Sequence, residues 1–193
     1  MSNEQWRMFC AVELPEIIRT RIEKHIQQVR DAVPESQPSW ARVNNIHLTL
    51  KFFGNVDHVR VNRITDALSR AVEDISQFKV SIGGAGAFPN NRQPRVLWIG
   101  IDDSGGQLKH LHESIEAECA RKGFEREARA YRPHLTIARI RKREGARELA
   151  EANQNFGFTP LEMPVTELLL FRSELSSKGS RYTVVSRHKL ISK

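Results

Sequence analysis

Two short segments of this chain carry the same pattern at equivalent points of a repeated order of elements. They read HLTL at residues 47–50 and HLTI at residues 134–137. Around each segment the periodicity runs in one order: a helix, the His-Leu-Thr strand, a second helix and then two strands. This order predicts a duplicated α+β fold with two lobes, each a mainly antiparallel sheet backed by helices, around a central cleft.

Hydrophobic periodicity locates the individual elements. Apolar spacing predicts helices over residues 17–33, 57–75, 104–122 and 144–153, and strands over 8–14, 46–53, 78–83, 95–101, 131–140, 162–171 and 181–190. Residues 83–94, GGAGAFPNNRQP, are rich in Gly, Pro and Asn and predict a loop between two strands. Because no linker separates the halves, residues 1–193 are predicted to form one domain.

Composition excludes several classes of protein. The two cysteines, Cys10 and Cys119, are far apart and in no CxxC pair, which argues against a disulfide framework and fits a reducing cytoplasm. No apolar run approaches the ~20 residues of a membrane span, so we expect a cytoplasmic protein without membrane contact. A net charge of +7 favours anionic partners, such as nucleic acid, without identifying one.

The two motifs carry the chemistry. On a strand, residues two apart face the same side, so His47 and Thr49 share one face, as do His134 and Thr136. One neutral imidazole can take a proton from water while a protonated imidazole gives a proton to a leaving oxygen, and the hydroxyls can donate to phosphoryl oxygens. Neither motif has Cys, Asp or Glu on that face, and two histidines do not complete a zinc site. We therefore predict that the site works without a metal.

Beyond the motifs, the chain resembles a known family along nearly its whole length. The segments that carry the resemblance are RMFCAVELP, NNIHLTLKFFGNV, GAGAFP followed by RVLWIGI, YRPHLTIARI and SELSSKGSRYTVV, in that order. They are similar to the 2H phosphoesterases, in particular the bacterial and archaeal RNA 2',3'-cyclic phosphodiesterases, formerly described as 2'-5' RNA ligases. The resemblance implies a bilobal fold, hydrolysis of RNA 2',3'-cyclic phosphate ends to 2'-phosphomonoesters, and no cofactor.

Carried onto this sequence, the resemblance implies that His47, Thr49, His134 and Thr136 are the catalytic residues. It assigns His134 as the base and His47 as the acid, although the near symmetry of the motifs does not distinguish the two. It also points to Arg139 and Phe52 as substrate contacts. Strict strand alternation puts both on the face opposite the histidines, so they reach the cleft only if the strands end, bend or carry a bulge.

Other residues carry weaker predictions. Trp40, shortly before His47, is a candidate to line the cleft and stack on a base. The basic run at residues 139–147 is either a solvated face or a contact for the RNA backbone, since cations before a helix oppose its dipole. His110 and His112 lie two apart in a helical stretch and are predicted at the surface.

Two other functions keep the same residues. A phosphodiesterase for 2'-5' linked oligonucleotides or small cyclic nucleotides would use the same site on a different substrate. A non-catalytic module that binds RNA or nucleotides would capture phosphate without turnover, but it would not need two titratable groups. RNA ends or nucleotides are the expected partners, and we expect a monomer.

Overall fold

The computed structural model describes residues 4–176 and 179–192. Four helices are present in this part of the chain: α1 (Glu16–Ala32), α2 (Val61–Val72), α3 (Gln107–Arg121) and α4 (Ala146–Phe156). Nine strands accompany them: β1 (Gln5–Glu13), β2 (Ser39–Trp40), β3 (His47–Asp57), β4 (Phe78–Phe88), β5 (Val96–Asp102), β6 (His134–Arg139), β7 (Leu161–Val165), β8 (Glu167–Ser176) and β9 (Gly179–Lys189). The α+β class is confirmed.

The strands form two antiparallel sheets, each containing one motif strand. Sheet A has the order β3-β1-β8-β9, and sheet B has the order β2-β6-β5-β4-β7. Helices α2 and α3 pack together behind sheet A, while α1 and α4 pack together behind sheet B. The predicted pair of helix-backed antiparallel sheets is therefore confirmed.

The sequence repeat does not divide the chain into lobes at its midpoint. The strands β4 and β5, which close the first repeat, pair in the sheet of the second motif, whereas β8 and β9 pair beside β1 in the sheet of the first motif. Each sheet is therefore completed by strands from the other repeat. As a result, neither sheet is made from a continuous segment of the chain.

Apolar spacing places the helices correctly. In α1 the buried positions include Ile18, Ile22, Ile26 and Val29, which recur at helical spacing and face the core. The second helix begins later than predicted, because Asp57 accepts a hydrogen bond from the Val59 amide and starts a short 3-10 turn before α2. No helix in the described part of the chain is long and apolar enough to cross a membrane.

The loop predicted over residues 83–94 is wrong in its first half, where the chain continues as the end of β4. A bulge lies between Ile82 and Ala85, and Gly84 takes a φ of +69° there. A Cβ on Gly86 would lie 2.5 Å from the Trp98 ring, so glycine lets the strand pass beside this indole. Glycine here permits close packing within a sheet.

The prediction for the helical histidines holds for one of them. His110 is exposed. The side chain of His112 is only 12% exposed; its ring stacks on Tyr131 at 4.0 Å and its Nε2 lies 3.9 Å from Glu116. The surface prediction was wrong for His112, because a segment without regular structure before β6 covers that side of α3.

Candidate active site

A cavity of about 750 Å³ lies where the two motif strands approach each other. It receives side chains from sheet A through β1, β3, β8 and β9 and from sheet B through β2 and β6. All seven candidate site residues named from the sequence line it: Trp40, His47, Thr49, Phe52, His134, Thr136 and Arg139. The fold therefore brings the two motifs to one cavity.

Matching β-bulges explain how Phe52 and Arg139 reach this cavity. In β3 the register with β1 skips Leu50, and in β6 the register with β5 skips Ile137. Each unpaired residue lies three positions after its histidine, and it reverses the alternation that follows it. The two bulges therefore turn Phe52 and Arg139 to the same face as the histidines. Phe52 is 60% exposed at the cavity.

The backbone fixes the tautomer of both imidazoles. His47 Nδ1 lies 2.8 Å from the Asn45 carbonyl, and His134 Nδ1 lies 2.7 Å from the Arg132 carbonyl. A carbonyl oxygen only accepts, so Nδ1 carries the proton and donates in both rings. Nε2 is then the nitrogen free to exchange a proton, and each ring is held in place by the residue two positions before it.

The two rings differ in their surroundings. His47 stacks on Phe9 with ring centroids 4.6 Å apart, and the Tyr182 ring meets it edge-on at 5.4 Å. Burial in this aromatic setting lowers the pKa of His47 to about 4, although its hydrogen bond to the Asn45 carbonyl acts in the opposite direction. His134 has an edge contact with Phe88 at 5.0 Å. In the unliganded protein the His47 ring is therefore neutral at pH 7.

The rim of the cavity is strongly basic. Arg7, Arg42, Arg139 and Arg141 line it, and the described lining residues include no Asp or Glu. This excess of guanidinium groups makes the cavity attractive to anions, and a guanidinium can bind a phosphate in a bidentate manner.

Only part of the basic run at residues 139–147 contributes to this rim. Lys142 and Arg143 are exposed outside the cavity lining, just before α4 begins. Arg147 bonds to Glu151 one turn further along that helix. The cavity-lining members are therefore Arg139 and Arg141, and Arg147 belongs to a solvated helix face.

Sequence reasoning missed several residues of this site. Phe9 and Arg7 alternate on the cavity face of β1, so strand parity within RMFCAVE was the available signal. Asn45 joins two parts of the site, since its carbonyl holds His47 and its side-chain amide donates to the Ser180 carbonyl at 2.8 Å. That contact links β9 to the turn before β3, and no local pattern in the sequence indicates it.

A buried ion pair lies behind the first motif. Lys51, in the bulged part of β3, donates from Nζ to Glu116 on α3 at 2.8 Å and to the Glu125 carbonyl at 2.8 Å. The other oxygen of Glu116 accepts from the Glu127 amide at 3.1 Å. Tyr131 donates its hydroxyl to the Thr49 carbonyl at 3.2 Å. These contacts fix the segment that leads to His134 against the strand that carries His47.

Two antiparallel sheets that each bring a His-x-Thr strand to one cavity define the class of the 2H phosphoesterases. The model of the 2'-5' RNA ligase superfamily matches residues 18–176. An RNA 2',3'-cyclic phosphodiesterase of Methanothermobacter thermautotrophicus is 36% identical over 92% of this chain and 95% of its own length. A second, from Archaeoglobus fulgidus, is 32% identical over 91% of this chain and 96% of its own length.

Solved structures agree with these sequence matches. A protein of Thermus thermophilus superimposes with a TM-score of 0.78 at 27% identity, covering 95% of this chain and 97% of its own. E. coli LigT gives a TM-score of 0.75 at 25% identity, covering 97% and 98%. LigT has also been solved in complex with 3'-AMP. This chain belongs to the 2'-5' RNA ligase superfamily and is a hydrolase of the 2H phosphoesterase class.

Proposed function

We propose that this protein opens the 2',3'-cyclic phosphate at RNA ends to leave a 2'-phosphomonoester, without a metal ion. The observation that carries the proposal is the paired arrangement of the motifs. Two imidazoles with the same fixed tautomer, each with a threonine two residues away, line one cavity. Such a pair can place one proton acceptor and one proton donor on either side of a single phosphorus atom.

In the proposed mechanism, His134 Nε2 takes a proton from water, and the water oxygen bonds to phosphorus opposite O3'. The P–O3' bond breaks, and His47 Nε2 gives its proton to O3'. Thr49 and Thr136 donate to the non-bridging oxygens, where negative charge builds in the transition state. One water is consumed, and the phosphate stays on O2'. Both imidazoles return to their starting states after proton exchange with solvent.

The acid role of His47 depends on the substrate. Burial lowers the pKa of this ring to about 4, so the unliganded protein does not hold it protonated at pH 7. A bound phosphodiester is an anion in direct contact with the ring, and an opposite charge at that distance raises the pKa of a histidine. His47 thus takes up its proton as the substrate binds, and the buried ring then returns it readily to O3'.

RNA is the proposed substrate because the cavity offers more cations than one phosphate requires. Four arginines and no carboxylate line it among the described residues. Relatives that match over most of this chain are RNA 2',3'-cyclic phosphodiesterases, and LigT binds the nucleotide 3'-AMP. A strand with several phosphates suits this lining better than a small cyclic nucleotide with a single charge does.

The decisive experiment uses a short RNA with a 2',3'-cyclic phosphate, incubated with the protein in EDTA. We expect full turnover and a 2'-phosphate product, because the acid, the base and the charge stabilisers are all side chains of the chain. The position of the phosphate is read by ³¹P NMR or by digestion with a 3'-phosphatase. Loss of turnover in EDTA that returns with a divalent ion would refute the metal-free mechanism, and a 3'-phosphate product would refute the geometry of attack.

Charge reversal at the rim should separate cavity arginines from surface ones. Arg141→Glu is expected to raise KM for a cyclic-ended oligonucleotide about tenfold at low salt, and more than for a cyclic mononucleotide, because it removes a phosphate contact and adds repulsion. Lys142→Glu and Arg143→Glu serve as matched controls, since both side chains lie outside the cavity lining. Equal KM values for all three variants would assign residue 141 to the solvated surface.

A further inference from the structure

The face of sheet B that carries the second motif continues beyond the cavity onto β5 and β4. Residues that pair across antiparallel strands share a face, and three such rows begin at cavity-lining residues of β6. The rows run from His134 to Gly100, from Thr136 to Trp98 and Gly86, and from Arg139 to Val96 and Phe88. The alternate residues of β5, Leu97 and Ile99, are fully buried in the core on the opposite face.

The Trp98 indole lies flat on this extension of the sheet, because two glycines leave room beneath it. A Cβ on Gly86 would lie 2.5–3.0 Å from three atoms of the ring, and a Cβ on Gly100 would lie 3.4 Å from its far edge. A side chain at position 86 would therefore lift the ring off the strands. The indole is only partly buried, and its exposed part lies on the side of the sheet where the cavity opens.

Phe88 joins this indole to the catalytic pair. Its ring lies 5.3 Å from Trp98, tilted by 36°, and meets the His134 ring edge-on at 5.0 Å. Phe88 is also partly exposed. Trp98 Nε1 is buried without a hydrogen-bond partner among the described residues, so hydrogen bonding does not explain why an indole occupies this place. Trp98 and Phe88 together form an aromatic surface that begins at His134, the sheet B platform.

Charge restricts what the sheet B platform can bind. Arg139 begins the row that ends at Phe88, so a guanidinium lies between the cavity and the platform. At the other end, the exposed Asp102 lies four residues beyond Trp98 on the same face of β5. A phosphate is thus attracted beside the cavity and repelled past the indole. Neighbouring strands are about 4.8 Å apart, which places Trp98 within one nucleotide's reach of Thr136.

We propose that the sheet B platform binds the base of the second-last nucleotide of an RNA strand, stacked on Trp98. The proposal rests on the proposed function, since it assumes that the cyclic phosphate lies between His47 and His134. An aromatic face beside a guanidinium suits a base that is linked to a phosphodiester, and it accepts any base, because every base has a π-face. Asp102 limits the platform to one base, and a cyclic mononucleotide has no second base to place there.

The test compares two dinucleotides that end in the same 2',3'-cyclic phosphate: ApA, and an analogue whose first ribose carries hydrogen in place of its base. Both have the same charge and the same terminal base, so the ratio of their kcat/KM values isolates the second-last base. In the wild-type protein we expect ApA to be favoured about 10- to 100-fold, the usual effect of stacking one base on an aromatic side chain. In Trp98→Leu the ratio should fall to within about twofold of one.

Two further variants define the platform. Trp98→Phe keeps an aromatic face and should keep a ratio above about threefold. Trp6→Leu is the matched control, since Trp6 lies against Arg172 and outside the cavity lining, and it should keep the wild-type ratio. Because each ratio is taken within one variant, a loss of stability that lowers both rates cancels.

A wild-type ratio near one, or a wild-type ratio in Trp98→Leu, would overturn the platform while leaving the proposed function in place. An equal fall in Trp6→Leu would also overturn it, because the effect would then come from the fold and not from Trp98. If the wild-type protein opens neither dinucleotide nor 2',3'-cyclic AMP, the proposed function fails, and the platform fails with it.

Discussion

Removing either motif histidine should lower kcat by at least 10²- to 10⁴-fold on a cyclic-ended RNA, which is the usual contribution of a positioned general acid or base. His47→Ala and His134→Ala each remove one partner of a proton relay that serves a single transition state. The double variant should therefore be little worse than the worse single variant, since the two contributions are not independent. Single-turnover kinetics at saturating substrate would measure the chemical step directly.

His110→Ala is the control for these variants, because His110 is an exposed histidine on α3 and does not line the cavity. It should retain wild-type kcat. The melting temperatures of all four variants show whether the fold is intact. Near wild-type turnover in a well-folded His47→Ala or His134→Ala variant would refute the two-histidine mechanism, even if the product proved to be a 2'-phosphate.

Sulfur substitution can separate the acid from the base. In a substrate with sulfur in place of O3', the leaving group is a thiolate. It departs with little help from an acid, because thiols are far stronger acids than alcohols. Such a substrate should restore much of the activity of His47→Ala and little of that of His134→Ala. Rescue of the opposite variant would reverse the two roles.

The pH profile adds a second constraint. His47 must be protonated to act as the acid, and kcat/KM reports the free protein. Because the pKa of His47 is lowered to about 4 there, the limb on which kcat/KM falls as pH rises should lie below the ordinary imidazole range, with apparent values that belong to the pair.

Strand parity predicted the core of this site. His47 and Thr49 share a face because their spacing is two, and the same holds at His134 and Thr136. That rule needs no tertiary information, so the paired motifs could be read as one surface before any fold was known. The apolar spacing of α1 likewise needed no tertiary information, and it placed Ile18 and Ile22 in the core.

Features that depend on pairing partners were not predictable from the same patterns. The bulges at Leu50 and Ile137 are defined by registers with β1 and β5, so they are invisible in a single strand. The exchange of closing strands between the repeats was not predictable for the same reason. The sequence of a strand does not show which other strand it will pair with. His112 was misplaced because Tyr131, which lies before β6 in a segment without regular structure, packs over it.

Breaking the buried ion pair behind the first motif should cost about 3–5 kcal/mol of the free energy of unfolding. Lys51→Met leaves Glu116, whose side chain is 8% exposed, as an uncompensated charge away from water. It also removes the donor to the Glu125 carbonyl. For a chain of this length the loss corresponds to a fall in Tm of about 10 °C, measurable by circular dichroism at pH 7.

The matched control is Lys79→Met, which breaks an ion pair of nearly the same length, 2.9 Å to Glu162, but on the surface. Exposed pairs contribute little, so its effect should stay within about 0.5 kcal/mol. Equal Tm values for Lys51→Met and Lys79→Met would show that the buried charge on Glu116 is solvated or neutralised by some other means.

The double variant Lys51→Met/Glu116→Leu separates stability from positioning. It removes both charges at once, so much of the lost stability should return. However, the Glu125 carbonyl and the Glu127 amide still lack their partners, and the segment that ends at the Arg132 carbonyl is less firmly held. His134 takes its orientation from that carbonyl, and a displacement of about 1 Å can cost about 10²-fold in rate. We therefore expect kcat of both Lys51→Met and the double variant to lie below the wild-type value, with KM little changed. Full recovery of kcat together with Tm would show that the ion pair serves stability alone.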